Sequence, residues 1–238
     1  LKALVMFGGQ DSHVRTDLGR SGWPGSLNDT WLYDCQTRQW RELECINRPP
    51  ETCTPEVMLD PVSGKVLLVS RPQAGDGKTA VAVNLAMVVA LQGMKVLLID
   101  GNLRYPGLAT LFDLAEVGGL SELLTHEDGD QGYIVQAEGV YIMPGGAPSI
   151  ISAEILSSPR LKELLNKARQ NYDIIIIDSA AVMEWADTRI LARNADGVLM
   201  VLRVNHSNLD MARESKRVLE AVGAHVEGFV LNNTVPSK

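Results

Sequence analysis

The residues best suited to chemistry lie in a glycine-rich loop between an apolar run and a helix-like segment. The loop reads SRPQAGDGKT, from Ser70 to Thr79. Gly75 and Gly77 let the backbone curl so that successive N–H groups face one anion, and the following helix adds its partial positive charge. Lys78 can reach the β- and γ-phosphate oxygens, and the hydroxyl of Thr79 can bind Mg²⁺. This pattern predicts a magnesium-nucleotide site. The alternative is a glycine-rich turn that binds nothing.

A second candidate is Asp178, which ends the apolar run DIIIID. A carboxylate at the carboxyl end of a central parallel strand lies beside the first loop, where the strand order of an open sheet reverses. There it can orient the shell of a Mg²⁺ ion. A strand-ending aspartate can equally be a helix cap, so the prediction depends on its pairing with the loop.

Apolar strands and helix-period segments alternate after residue 65, and they would position these groups. The predicted strands are 65–70, 95–100, 140–143, 173–178, 197–204 and 226–232. The predicted helices are 79–91, 119–125, 159–170, 185–193 and 209–222. Continuous Val, Ile and Leu runs are typical of strands buried on both faces of a parallel sheet. We therefore predict an α/β domain with a doubly wound, mostly parallel sheet over residues 65–238.

Residues 1–64 differ in composition and pattern: they contain short strands rich in aromatic residues and many turn residues. The sequences VMFGG, NDTWLYDCQTRQW and MLDPVSGKVLLV resemble a kelch repeat and the opening of the next one. The resemblance implies a small antiparallel β segment, an incomplete propeller of about one and a half blades. Residues 65–69 could belong to either part, and we assign them to the parallel sheet.

The second part resembles the bacterial tyrosine kinases of the capsular and exopolysaccharide type, in the MinD/ParA-like branch of P-loop proteins. The segments GDGKTAVAVNLA, GMKVLLIDGNLRYPGL, GGLSELL, AEILSSPRLKELL, YDIIIIDSA and ADGVLMVLRV occur in the family's order. The resemblance implies a P-loop NTPase fold that uses ATP and Mg²⁺ to phosphorylate protein tyrosines.

The resemblance also assigns roles to single residues. It implies catalytic roles for Lys78, Asp100 and Asp178, and metal binding by Thr79, Asp100 and Asp178. Asp100 is the first acid of the family's Asp-x-Asp motif, and Asp178 is the Walker B residue. The nucleotide-binding set that it implies is Gly75, Asp76, Gly77, Lys78, Thr79, Ala80 and Asn232, with Asn232 near the adenine.

Several positions depart from the family pattern. Asn102 replaces the second acid of the Asp-x-Asp motif, which removes a charge near Mg²⁺ and a proton acceptor. Ile151 and Ser152 stand where an Asn-Pro pair is usual. Gln73 replaces the signature lysine of partition-type ATPases. We therefore keep an alternative function, a nucleotide-binding regulatory or interaction module with ATPase but no tyrosine kinase activity.

Charge and composition exclude other classes of function. The net charge is −7, with 22 basic and 29 acidic residues, which gives no electrostatic footprint for nucleic acid. Three cysteines form no disulfide framework and favour a reducing compartment. We expect a cytoplasmic chain that can meet the inner face of the membrane through a polysaccharide co-polymerase or activator protein. The expected ligand is ATP/ADP, and the chain could self-associate.

Arg104 and Arg203 follow strands and could approach phosphates or pair with carboxylates.

Overall fold

The amino-terminal part contains three short strands. The computed structural model describes residues 3–8, 29–34, 39–43, 64–73, 77–114, 118–126, 133–203 and 207–232. Strands β1 (Ala3–Gly8), β2 (Asp29–Asp34) and β3 (Gln39–Leu43) form an antiparallel sheet in the order β1-β2-β3. The sheet agrees with the predicted antiparallel segment. The start of the segment MLDPVSGKVLLV, residues 58–63, lies outside the described residues.

The rest of the chain alternates strands with helices. Its elements are β4 (Lys65–Arg71), α1 (Lys78–Leu91), β5 (Val96–Asp100), α2 (Leu108–Leu111), α3 (Leu120–Thr125), β6 (Val135–Ala137), β7 (Val140–Met143), α4 (Ser152–Leu156), α5 (Pro159–Asn171), β8 (Ile174–Ala181), α6 (Asp187–Ala192), β9 (Gly197–Arg203), α7 (Leu209–Ala221) and β10 (Val226–Asn232). Within the described residues, no helix is long and apolar enough to cross a bilayer.

A seven-stranded sheet organises this part, in the order β10-β9-β4-β8-β5-β7-β6. All pairs are parallel except β6 with β7. The predicted doubly wound sheet is confirmed, and β4 lies inside it between β8 and β9. Strand β6 was not predicted, because its three residues are too few for a periodic pattern and none of them is fully buried.

Alternate residues of each central strand face two separate cores. Leu67 and Val69 pack with α1 on one face. Val66 and Leu68 pack on the other face, in a core that includes residues of α3 to α7. Because both faces are covered, the central strands carry continuous apolar runs, and β8 is buried throughout, including Asp178 near its carboxyl end.

The carboxyl end of β8 differs from the prediction. The strand continues past Asp178 to Ala181, and α6 begins at Asp187 instead of residue 185. The turn between them is held by the first loop: Val182 N–H donates to the Arg71 carbonyl at 2.9 Å, and Met183 N–H donates to the Pro72 carbonyl at 3.2 Å. These bonds hold residues 182–184 in a turn that precedes α6.

Candidate active site

Strand register brings the two predicted carboxylates together. Asp178 pairs with Val69 of β4 on one side and with Asp100 of β5 on the other. The loop that starts at Ser70 therefore emerges beside Asp178, at the point where connections leave β4 and β8 in opposite directions. This is where open α/β sheets bind ligands.

Lys78 and Thr79, at the start of α1, both bind Asp178. Lys78 Nζ lies 2.9 Å and 3.0 Å from the two carboxylate oxygens of Asp178. Thr79 Oγ1 donates to Asp178 Oδ2 at 2.6 Å, and Lys78 Nζ donates to Thr79 Oγ1 at 3.1 Å. Lys78 and Asp178 are each only 2% exposed. Lys78 and Asp178 thus form a buried ion pair, and the Thr79 hydroxyl is hydrogen-bonded to both.

Asp100 is fully buried and bound by backbone amides. Its Oδ2 accepts hydrogen bonds from Gly107 N–H at 2.7 Å and Leu108 N–H at 2.9 Å. Burial and the neighbouring Asp178 raise the pKa of Asp100 to about 6, although these amide bonds and Lys78 oppose the shift. A carboxyl with this pKa can accept a proton near neutral pH.

Asn102 is held by the turn that follows Asp100. Its backbone N–H donates to Asp100 Oδ1 at 3.2 Å, and its Nδ2 donates to the carbonyl of Tyr105 at 2.9 Å. Asn102 Oδ1 is buried and accepts no hydrogen bond from the described residues. The replacement of an acid by an amide therefore gives the turn a donor that a carboxylate lacks.

The end of β10 lies against the glycine loop. Gly77 has φ +80°, in the left-handed region, and a Cβ built on it would collide with Asn232 Nδ2. Asn232, implied to contact adenine, thus lies beside Gly77. Ala80 is exposed on the first turn of α1. Gly75 and Asp76 lie outside the described residues, and their roles stay predictions.

The oxygen donors present suit a magnesium ion. Mg²⁺ takes few protein ligands and keeps several waters. Asp178 Oδ2 and Thr79 Oγ1 converge at 2.6 Å, with Asp100 on the adjacent strand. Within the described residues, no group of three His, Cys, Asp or Glu side chains converges as a site with all-protein ligation would require.

Sequence reasoning left one cluster unassigned. Arg104 Nε donates to Asp187 Oδ2 at 3.2 Å, which settles the alternatives for Arg104 in favour of a carboxylate partner. The same oxygen accepts from Ser152 Oγ at 2.5 Å. Asp187 is fully buried. An acidic residue in the first turn of a helix is favoured by the helix dipole and is usually exposed. The sequence therefore did not predict a buried ion pair here.

Comparisons with protein families agree with this geometry. The AAA domain model matches residues 64–222, and a Kelch motif model matches residues 3–47. The first range contains all the described side chains of the site except Asn232. The second range contains β1 to β3.

Two curated relatives are similar over nearly three quarters of the chain. Tyrosine-protein kinase YwqD of Bacillus subtilis is 33% identical over 177 residues, covering 73% of this chain and 74% of the relative. The succinoglycan biosynthesis transport protein ExoP of Rhizobium meliloti is 30% identical over 182 residues, covering 74% of this chain. The chain spans only 23% of ExoP.

Two solved structures share the fold. The kinase domain of the Escherichia coli tyrosine kinase ETK has a TM-score of 0.70 and 28% identity, covering 76% of this chain and 73% of that one. The septum site-determining protein MinD of Pyrococcus horikoshii, complexed with Mg-ADP, has a TM-score of 0.62 and 26% identity, covering 73% and 72%. The chain therefore belongs to the AAA domain family of P-loop proteins and, within it, to the bacterial tyrosine kinases.

Proposed function

We propose that this chain is an ATP-dependent protein-tyrosine kinase that serves exopolysaccharide or capsule production. The observation that carries the proposal is the buried contact of Lys78, Thr79 and Asp178, with Asp100 paired beside Asp178. The names of YwqD, ETK and ExoP support the reaction and the pathway.

The loop and α1 would bind the nucleotide. With a γ-phosphate in the site, Lys78 would donate to its oxygens, and Asp178 and Thr79 would be the residues that hold Mg²⁺. Bound there, Mg²⁺ neutralises charge on the phosphate oxygens. Gly77, with φ +80°, would let its backbone N–H face a phosphate.

Asp100 would accept the proton of the acceptor. The phenol oxygen of a tyrosine attacks the γ-phosphorus, the bond from that phosphorus to the ADP oxygen breaks, and the phenol proton passes to Asp100. Asp100 pairs with Asp178 in the strand register, so this carboxylate lies next to the proposed metal site. The catalytic power comes mainly from positioning and charge neutralisation.

Phosphotyrosine formation on a supplied tyrosine peptide tests the proposal. We expect Mg-ATP-dependent transfer by the parent chain and none by Asp178→Asn, while Asp210→Asn, on the exposed face of α7, serves as the matched control. Absence of transfer by the parent, despite ATP binding, would contradict the kinase assignment.

Asn102 favours a second candidate, a nucleotide-binding regulatory module. With one acid missing from the motif, the chain would bind and hydrolyse ATP without transfer to tyrosine. An ATP hydrolysis assay beside the peptide assay separates the two functions. Hydrolysis that is unchanged by the peptide, with no phosphotyrosine, supports the module.

The setting of the site is also part of the proposal. We place the chain in the cytoplasm, at the inner face of the membrane through a polysaccharide co-polymerase or activator protein, and able to self-associate. We divide it into a kelch-like segment, 1–64, and a nucleotide-binding domain, 65–238. The ranges of the two family matches support this division.

A further inference from the structure

The side chain of Arg104 is fixed from two directions. Its Nε is bound to the buried carboxylate of Asp187, and its guanidinium carbon lies 4.0 Å from the centroid of the Trp185 ring. Asp187 is itself held by Ser152. A guanidinium stacked on an aromatic face and hydrogen-bonded at Nε has little freedom left to lose on binding a ligand.

The outer edge of the same guanidinium, called the Nη edge below, is formed by Nη1 and Nη2. Among the described residues, Nη1 and Nη2 of Arg104 donate to no acceptor. The side chain is 17% exposed, so solvent reaches part of it. Two parallel N–H donors on a fixed plane match the two oxygens of a carboxylate, the strongest geometry for such a pair.

The position of this edge ties it to the proposed reaction. Arg104 is four residues past Asp100, in the turn that Asn102 closes by donating to Tyr105. The side chains around it are open: Tyr105 is 73% exposed and Trp185 36%. A peptide that presents its tyrosine at the carboxyl end of β5 would come close to this surface, which offers aromatic contact and one cationic group.

We propose that the Nη edge of Arg104 binds a carboxylate of the acceptor segment, so that the chain selects tyrosines flanked by Asp or Glu. The inference rests on the proposed function, because it names the substrate class of that same site. Asp187 and Trp185 are the positioning residues: the first fixes Nε, and the second keeps the guanidinium plane in place.

Peptide binding to the Mg-ADP complex tests the inference without catalysis. The probes are two fluorescent peptides with one tyrosine, flanked by Glu in one and by Gln in the other, followed by fluorescence anisotropy. We expect the Glu peptide to bind about tenfold more tightly, as a charged hydrogen-bonded pair allows. Equal binding, or no binding of either peptide, overturns the inference.

Variants locate the preference. Arg104→Lys keeps the charge but loses the fork, and Trp185→Leu loses the stacking while Asp187 keeps its partner. Each should reduce the Glu-over-Gln preference to about twofold, whereas Arg213→Lys, on α7, should leave it unchanged. A preference that survives Arg104→Lys overturns the proposal. A loss of ADP affinity as large as the loss of Glu-peptide affinity also overturns it, because the variant would then disturb the whole nucleotide site. If the Glu peptide binds tightly but receives no phosphoryl group from ATP, the kinase function alone is contradicted.

Discussion

Lys78 Nζ lies 2.9 Å from Oδ1 of Asp178, although the two residues are a hundred positions apart in the chain. The lysine that would bind the phosphates is thus paired with the carboxylate that would bind Mg²⁺. Both groups are buried, so each serves as the counter-charge of the other while no nucleotide is bound. We therefore expect nucleotide and metal to replace this pair together, because either one alone would leave a buried charge unpaired.

Lys78→Ala should therefore abolish Mg-ATP binding and also lower the stability of the nucleotide-free chain. Removing one partner of a buried ion pair costs about 3 to 5 kcal/mol. Isothermal titration measures the loss of binding, and urea unfolding measures the loss of stability. ATP binding as tight as in the parent would contradict the role given to Lys78.

The double variant Lys78→Ala/Asp178→Asn separates these two effects. Since Asn at position 178 carries no charge, most of the lost unfolding free energy should return, while ATP binding stays absent. If the double variant were as unstable as Lys78→Ala, the cost would come from packing of the lysine stem and not from the unpaired carboxylate.

The ionisation of Asp100 should contribute a fall in the stability of the metal-free chain between about pH 4 and pH 6. The pKa of Asp100 is raised from 3.8 to about 6 by burial and by Asp178. The folded state therefore holds the proton more tightly than the unfolded state, and this stabilisation, up to about 3 kcal/mol, is present at low pH and lost as the pH rises through 6.

Urea unfolding at a series of pH values checks this effect. Asp100→Asn should remove this component of the pH dependence, whatever its effect on absolute stability. Mg-ADP should weaken it in the parent, because a bound cation favours the ionised carboxyl. The same slope in Asp100→Asn and in the parent would assign the pH dependence to other groups.

Gly77→Ala and Gly93→Ala form a matched pair at positive φ. Their φ values are +80° and +85°, so each alanine costs about 1 kcal/mol or more of backbone strain. Only at Gly77 does the new methyl collide with a neighbour, Asn232, whereas Gly93 faces open space. We expect ADP affinity to fall more than about tenfold in Gly77→Ala alone, through distortion of the phosphate loop.

Fluorescence titration with a labelled ADP measures both affinities, and thermal unfolding shows whether the backbone strain is similar. Equal ADP affinity in the two variants would contradict a role for the close contact of Gly77 with Asn232.

Local patterns predicted the large sheet and the first loop because apolar runs and glycine spacing act over short stretches of chain. The contact of Lys78 with Asp178 was foreseeable in outline, since the loop that leaves one parallel strand lies beside the carboxyl end of the neighbouring strand in the sheet. Register is a long-range property, so the pairing of Asp100 with Asp178 could come only from the family resemblance. The cation–π contact of Arg104 with Trp185 joins two connections 81 residues apart, which no local pattern encodes.

Asn102→Asp should raise phosphorylation of a supplied acceptor at saturating Mg²⁺, with little change in ATP affinity. The new carboxylate adds a negative oxygen beside Asp100, which favours the hard cation and supplies a second proton acceptor. In the metal-free chain the same change should destabilise the fold by about 1 kcal/mol, because the amide donor to the Tyr105 carbonyl is lost and two acceptors face each other.

Asn102→Ala is the matched control, since it removes the same donor without adding charge. Phosphotyrosine formation is measured for the parent and both variants at equal nucleotide occupancy, together with urea unfolding without metal. The prediction requires faster transfer in Asn102→Asp than in Asn102→Ala, while both lose stability. Equal and substantial rates in all three would show that the second acid is dispensable in this chain. Absence of transfer in all three would favour the regulatory module, whose site uses the nucleotide as a ligand and not as a phosphoryl donor.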